Sequence, residues 1–119
     1  VITSLTGRVT TVQGATANSF NITHTPTGGA AGDLAAATVC TSDAVGTFYS
    51  VTGVATELLS AQTAGGTEVP NVTQGNMGSR PLIVDSGSIK LKASGSNTGV
   101  TNWTLTYIAL DDGASVVAA

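Results

Sequence analysis

The chain has 119 residues and only 9% of them are charged, four Lys and Arg against seven Asp and Glu, for a net charge of -3; soluble domains average about 25%. The basic residues Arg8, Arg80, Lys90 and Lys92 form no stripe that could neutralise a phosphate backbone, which argues against nucleic acid as a partner. A single cysteine rules out an intramolecular disulfide framework, and no apolar run approaches the roughly 20 residues of a membrane-spanning helix.

A length near the common single-domain size predicts one domain over 1–119, with its core built by packing alone. Alternating apolar and polar residues, rich in Thr and Val, predict strands over 2–13, 18–25, 34–41 and 46–53. Further strands are expected over 67–73, 80–85, 87–94 and 101–110, with a last short one at 114–117. Between them stand TPTGGAAG, SDAVG, TAGG, NMGS, DSG and GSNTG, where Gly supplies positive φ and Asn or Asp bonds back to nearby backbone. Only VATELLSAQTA (54–64) has a helical alternative, a turn or two with Leu58, Leu59 and Ala61 on one face, against an outward β excursion.

The stretch 88–110, SIKLKASGSNTGVTNWTLTYIAL, reads as a hairpin. Ile89, Leu91 and Ala93 share one face, as do Trp103, Leu105 and Tyr107, leaving Lys90, Lys92, Thr104 and Thr106 for the other side. Short strands at regular spacing with almost no helix predict an all-β fold, an antiparallel β-sandwich or jelly roll of about eight strands.

Candidate chemistry is sparse. His24 in NITHTPT has no second titrating group within hairpin reach, so a surface or turn position is expected. Cys40 in AAATVCTSD falls where a buried strand residue belongs, with no Lys, Arg or His beside it to lower its pKa; an inert core thiol is expected over a Cys40–His24 nucleophile pair. Asp111 and Asp112 precede Gly113 as a DDG turn without the spaced carboxylates of a calcium loop. Asn21, Asn71 and Asn102 begin N-x-T triplets that a Thr-rich composition readily produces. Phe48, Tyr49, Trp103 and Tyr107 could line a sugar platform, but with aromatics at 4% of the chain they are expected to anchor the core. No catalytic residue, metal or cofactor is expected, and a hydrolase acting on the cell envelope ranks last because no paired carboxylates or nucleophile and base stand out.

Most of the chain, with DAVGTFYSVTG, GSIKL and SNTGVTNWTLTYIALDDGA as its most recognisable parts, resembles small structural proteins of tailed bacteriophages, found among capsid decoration (cement), head-fibre and tail-associated components. The middle stretch, VATELLSAQTAGGTEVPNVTQGNM, is the least similar. The resemblance implies a non-enzymatic virion protein, made in the host cytoplasm, that sits on the outer surface of the capsid and ties neighbouring subunits of the major capsid protein together. It further implies a homo-oligomer, with a trimer matching local three-fold positions. The apolar ends VITSLTGRV and DDGASVVAA are the expected contact segments, through Val1, Ile2, Leu5, Arg8, Val116 and Val117, unless both simply complete the sheet. The alternative is a head-fibre or tail component binding host surface glycans, which requires Trp103, Tyr107 or Tyr49 to lie exposed in a loop-rimmed groove.

Overall fold

The computed structural model describes residues 1–56, 60–62 and 81–118. They form seven strands: β1 (Ile2–Thr11), β2 (Ser19–Pro26), β3 (Gly32–Val39), β4 (Phe48–Ser50), β5 (Ser60–Gln62), β6 (Gly87–Ala93) and β7 (Val100–Tyr107). No helix occurs among the described residues, and every strand pair is antiparallel. The strands divide into a sheet ordered β5-β4-β1-β7 and a second ordered β3-β2-β6. The expected all-β antiparallel fold is therefore present as two sheets.

The long N-terminal alternation carries the first sheet. Leu5, Gly7 and Val9 turn inward while Thr6, Arg8 and Thr10 turn outward, and β1 is central because it pairs β4 on one side and β7 on the other. In the second sheet β2 is central, and Phe20 and Ile22 bring its inward face into the same core. That core joins Ile2, Leu5, Val9, Tyr49 and Val51 from one side to Phe20, Ile22 and Ala35 from the other, with Trp103, Leu105, Ile89 and Leu82 packed at its margin.

Gly7 explains how the aromatics fit. It pairs with Tyr49 on one side and Trp103 on the other, and a β-carbon placed there would lie 2.9 Å from the Trp103 ring. The missing side chain lets Tyr49 and Trp103 stack at 6.1 Å between centroids. Phe20 from the opposite sheet meets both edge-on, at 5.7 Å and 6.5 Å, the geometry aromatic quadrupoles prefer.

Several expectations are corrected. The stretch 88–110 is no hairpin: β6 pairs β2 and β7 pairs β1, so residues 94–99 carry the chain from one sheet to the other. Alternation placed the inward and outward faces of β7 correctly, since Trp103 and Leu105 are half-buried and Thr104 and Thr106 exposed; it carries no information about which strand is the neighbour. The strand expected over 46–53 shrinks to Phe48–Ser50, with turns on both sides, and of the strand expected over 80–85 the described residues 81–85 supply only an isolated bridge from Leu82 to Ile2. No strand forms at 114–117. The strand expected over 67–73 lies outside the described residues, as does much of 54–64, within which 60–62 is extended as β5.

Candidate interaction surface

The side chains singled out for chemistry are held apart. His24 lies in β2, half-buried rather than in a turn, and its Nε2 donates to the Asp85 carbonyl at 3.1 Å. Cys40 follows β3 and is buried; its backbone N–H bonds to the carbonyl of Asn18, six residues before His24 along an extended strand. That separation is roughly 20 Å at the rise of a β-strand, so the fold does not assemble a Cys40–His24 pair. Burial, and then the charge of Asp43, push the Cys40 thiol above its usual range, which disfavours the reactive thiolate.

Asp43 instead serves the core. It accepts a short hydrogen bond from the Tyr49 hydroxyl. Burial and this bond hold the Tyr49 proton well above the usual phenol range. Asp111 and Asp112 are exposed in a tight turn in which Ala114 N–H bonds the Asp111 carbonyl at 3.1 Å and Gly113 adopts φ 79°. Among the described residues no group of three or more His, Cys, Asp or Glu is placed to hold a metal ion, and no helix is long and apolar enough to cross a membrane.

The aromatic platform is likewise divided. Tyr49 is buried in the core, and Trp103 packs against it with its indole nitrogen buried and unpartnered. Tyr107 is exposed at the end of β7, where its hydroxyl accepts from Val116 N–H at 3.2 Å.

The six expected contact residues fall into three groups. Ile2 and Leu5 point into the core and offer nothing to a partner, because β1 is a central strand and its inward face is covered by the second sheet. Arg8 lies on the outward face of β1, and Val116 and Val117 are exposed. Val1 extends the sheet: its N-terminal amine donates to the Ile108 carbonyl at 2.7 Å, and Ile108 N–H returns a bond of the same length.

These pairings create a surface that alternation did not reveal. Ile2 pairs both Leu82 and Tyr107, so the next row outward sets Val1 between Ile83 and Ile108. Ile83 is 76% exposed and Ile108 60%, and the chain continues through exposed Leu110, Val116 and Val117. This end of the molecule thus leaves several apolar side chains open to solvent, interrupted by the exposed carboxylates of Asp111 and Asp112.

The opposite end is a buried polar knot. Asn18 Oδ1 accepts from the backbone N–H of Ser19 and Gly95, both at 2.9 Å, and from the Ser94 hydroxyl at 3.2 Å. Asn97 Oδ1 accepts from Gly14 N–H and from Gly99 N–H. Gln13, buried, donates to Thr101 at 2.9 Å and its backbone N–H bonds the Asp43 carbonyl. These residues make the crossing between sheets possible, and none was singled out from the sequence. The signal was present in GSNTG, whose Asn and Gly were read as an ordinary turn.

No family model matches this chain, and neither the curated proteins nor the solved structures contain a match.

Proposed function

We propose that this protein is a bacteriophage capsid decoration protein, a small β-sandwich that docks on the outer surface of the assembled head and stabilises contacts between major capsid protein subunits. The observation that carries the reading is the pairing of a low-charge β domain with apolar side chains left open to solvent. These are Ile83, Ile108, Leu110, Val116 and Val117 at one end and Val12, Val39, Val45 and Val100 beside the polar knot, of which the first group adjoins the Val1–Ile108 pairing. Contiguous exposed apolar surface marks interaction sites, and a low-charge surface lets many copies crowd on a lattice without strong repulsion. The resemblance of DAVGTFYSVTG and SNTGVTNWTLTYIALDDGA to phage virion proteins supplies the partner class. Copies in this reading also associate with one another. Binding only to the expanded shell would stabilise that state by linkage, growing with the logarithm of the free protein concentration over its dissociation constant.

The fibre or tail reading, with glycan as ligand, loses two of its three aromatic residues to the core and retains Tyr107. The decisive experiment mixes purified protein with expanded heads lacking it, pellets them, and measures copies bound and head rupture temperature. Saturable binding at a symmetric stoichiometry with a raised rupture temperature is expected. Absence from heads together with binding to host cells or polysaccharide would move the protein to a fibre or adhesin.

A further inference from the structure

Four strands border the two sheets, and three of those edges carry a feature that discourages pairing with another chain. Among the described residues β5 spans three positions. β3 carries Asp33 and is bulged at two points against β2. β6 carries Lys90 and Lys92. β7 has none of these: it is eight residues long, no charged residue or proline occurs from 93 to 110, and the two register shifts in its pairing with β1 place the extra residues, Thr3 and Thr10, on β1.

The hydrogen-bond phase identifies the open groups. Val1 and Ile108 exchange backbone bonds, while Leu5 and Val9 bond toward the β4 side, through Val51 and through Gly46 and Thr47. Even-numbered residues of β7 therefore bond β1. The N–H and C=O groups of Thr101, Trp103, Leu105 and Tyr107 point to the other side, where among the described residues no strand lies.

We infer that the β7 edge pairs antiparallel with β7 of a second copy of this chain, about a two-fold axis at Thr104. That register makes Thr101 opposite Tyr107 and Trp103 opposite Leu105 the hydrogen-bonded pairs, matching the open groups and giving about eight backbone bonds. On the outward face it sets Asn102 opposite Thr106 and Val100 opposite Ile108. Val100 is 47% exposed and Ile108 60% exposed in the single chain, and each covers the other twice across the axis. The absence of charge over 93–110 means that the two identical edges do not repel. An isologous contact of this kind closes at two copies. The inference stands independently of the virion reading.

Thr104 faces itself across the axis in a non-hydrogen-bonded pair, with Cα atoms about 4.5 Å apart, within the range a disulfide spans. Under mild oxidation Thr104→Cys should crosslink into a covalent dimer, whereas Asn102→Cys, whose counterpart is Thr106, should not; buried Cys40 takes no part. Sedimentation equilibrium of the unmodified chain should give twice the chain mass, and Thr104→Lys, which sets two ammonium groups side by side, should weaken association at least about ten-fold with an unchanged β-type circular dichroism spectrum. A monomer across the micromolar range, a mass of three chains, or equal crosslinking of both cysteine variants would each overturn the two-fold edge contact.

Discussion

The two ends of the molecule solve the problem of chain crossing in opposite ways. At one end, where residues 94–99 pass between the sheets, Gln13, Asn18 and Asn97 bury amide groups and tie loop backbone to side chain. At the other end, Ile2 bonds Leu82 and Val1 bonds Ile108 through backbone groups, and Ile83, Ile108, Leu110, Val116 and Val117 stand exposed around the Asp111–Asp112 turn. A buried polar network specifies one geometry to the extent that its members are satisfied, and here Gln13 Oε1, Asn18 Nδ2 and Asn97 Nδ2 are buried without a partner while the opposite atom of each amide is bonded. An exposed apolar end contributes little to folding and is free to bind. The division assigns stability to the knot and interaction to the open end, and substitutions at each end can break the assignment.

The largest effect is expected at Asn18. Replacing it with Ala removes the acceptor shared by Ser19, Gly95 and Ser94; the Ser19 N–H keeps the Ser94 hydroxyl at 2.9 Å, while the Gly95 N–H loses its acceptor. At roughly 1–3 kcal/mol for a buried group left unsatisfied, together with the lost bond to Ser94, the loss should be about 2–3 kcal/mol, read as a lower urea midpoint at unchanged slope. A loss below about 0.5 kcal/mol would show that the knot does not anchor the fold.

Gly99 comes next. A β-carbon there would lie 2.5 Å from the Gln13 Cδ and 2.6 Å from its Cα, and the second of these atoms belongs to backbone that cannot swing aside. Gly99→Ala should therefore cost about 2 kcal/mol, in the range of overpacked cores. Because Gln13 is also bonded to Thr101 and Asp43, the effect should be non-additive with Gln13→Ala in a double-mutant cycle.

These two positions also show how far the sequence could be read. The strands of β1, β2, β3 and β7 were legible because one face is more buried than the other, which imposes a period of two; β6 shows the alternation although only Ile89 is half-buried and Leu91 and Ala93, expected on the core face, are exposed. Gly7 was legible in principle: an isolated glycine at an inward strand position signals close approach by a neighbour, here Trp103. The partner of β6 was not legible. GSNTG has the composition of a hairpin turn, and only the acceptors Asn18 and Asn97, one of them distant in sequence, direct it across the core instead. The inward placement of Ile2 and Leu5 follows from β1 being central, a property of topology rather than of local pattern. The open end depends likewise on Ile2 pairing Leu82 and Tyr107, residues far from it along the chain.

A smaller effect with a distinctive pH signature is expected at Tyr49. Burial and the Asp43 hydrogen bond raise its folded pKa above the ordinary 10.0, and burial raises that of Cys40 above 9.0. Above these values the unfolded chain releases protons that the folded chain retains, so stability is fully present below about pH 9 and falls as pH rises past 9 and then 10. Tyr49→Phe should cost about 1 kcal/mol at pH 7 through the lost hydrogen bond, yet flatten the decline above pH 10. Parallel urea midpoints for both proteins from pH 7 to 11 would contradict this account.

The smallest effect on folding belongs to the open end, and there a null result in one assay carries meaning only beside a positive one in another. Val117 is 83% exposed and makes no contribution to the core. A Val116→Ser, Val117→Ser double variant should hold stability within about 0.5 kcal/mol, as surface substitutions usually do. If the end is an interaction surface, the same variant should lose affinity for expanded heads by about ten-fold or more, because removing apolar area from a docked surface forfeits transfer energy that the free chain never had. Loss of stability without loss of binding would reverse the assignment of the two ends. Loss of neither would leave Ile83 and Ile108, which flank Val1 in the sheet itself, as the residues through which that end must act.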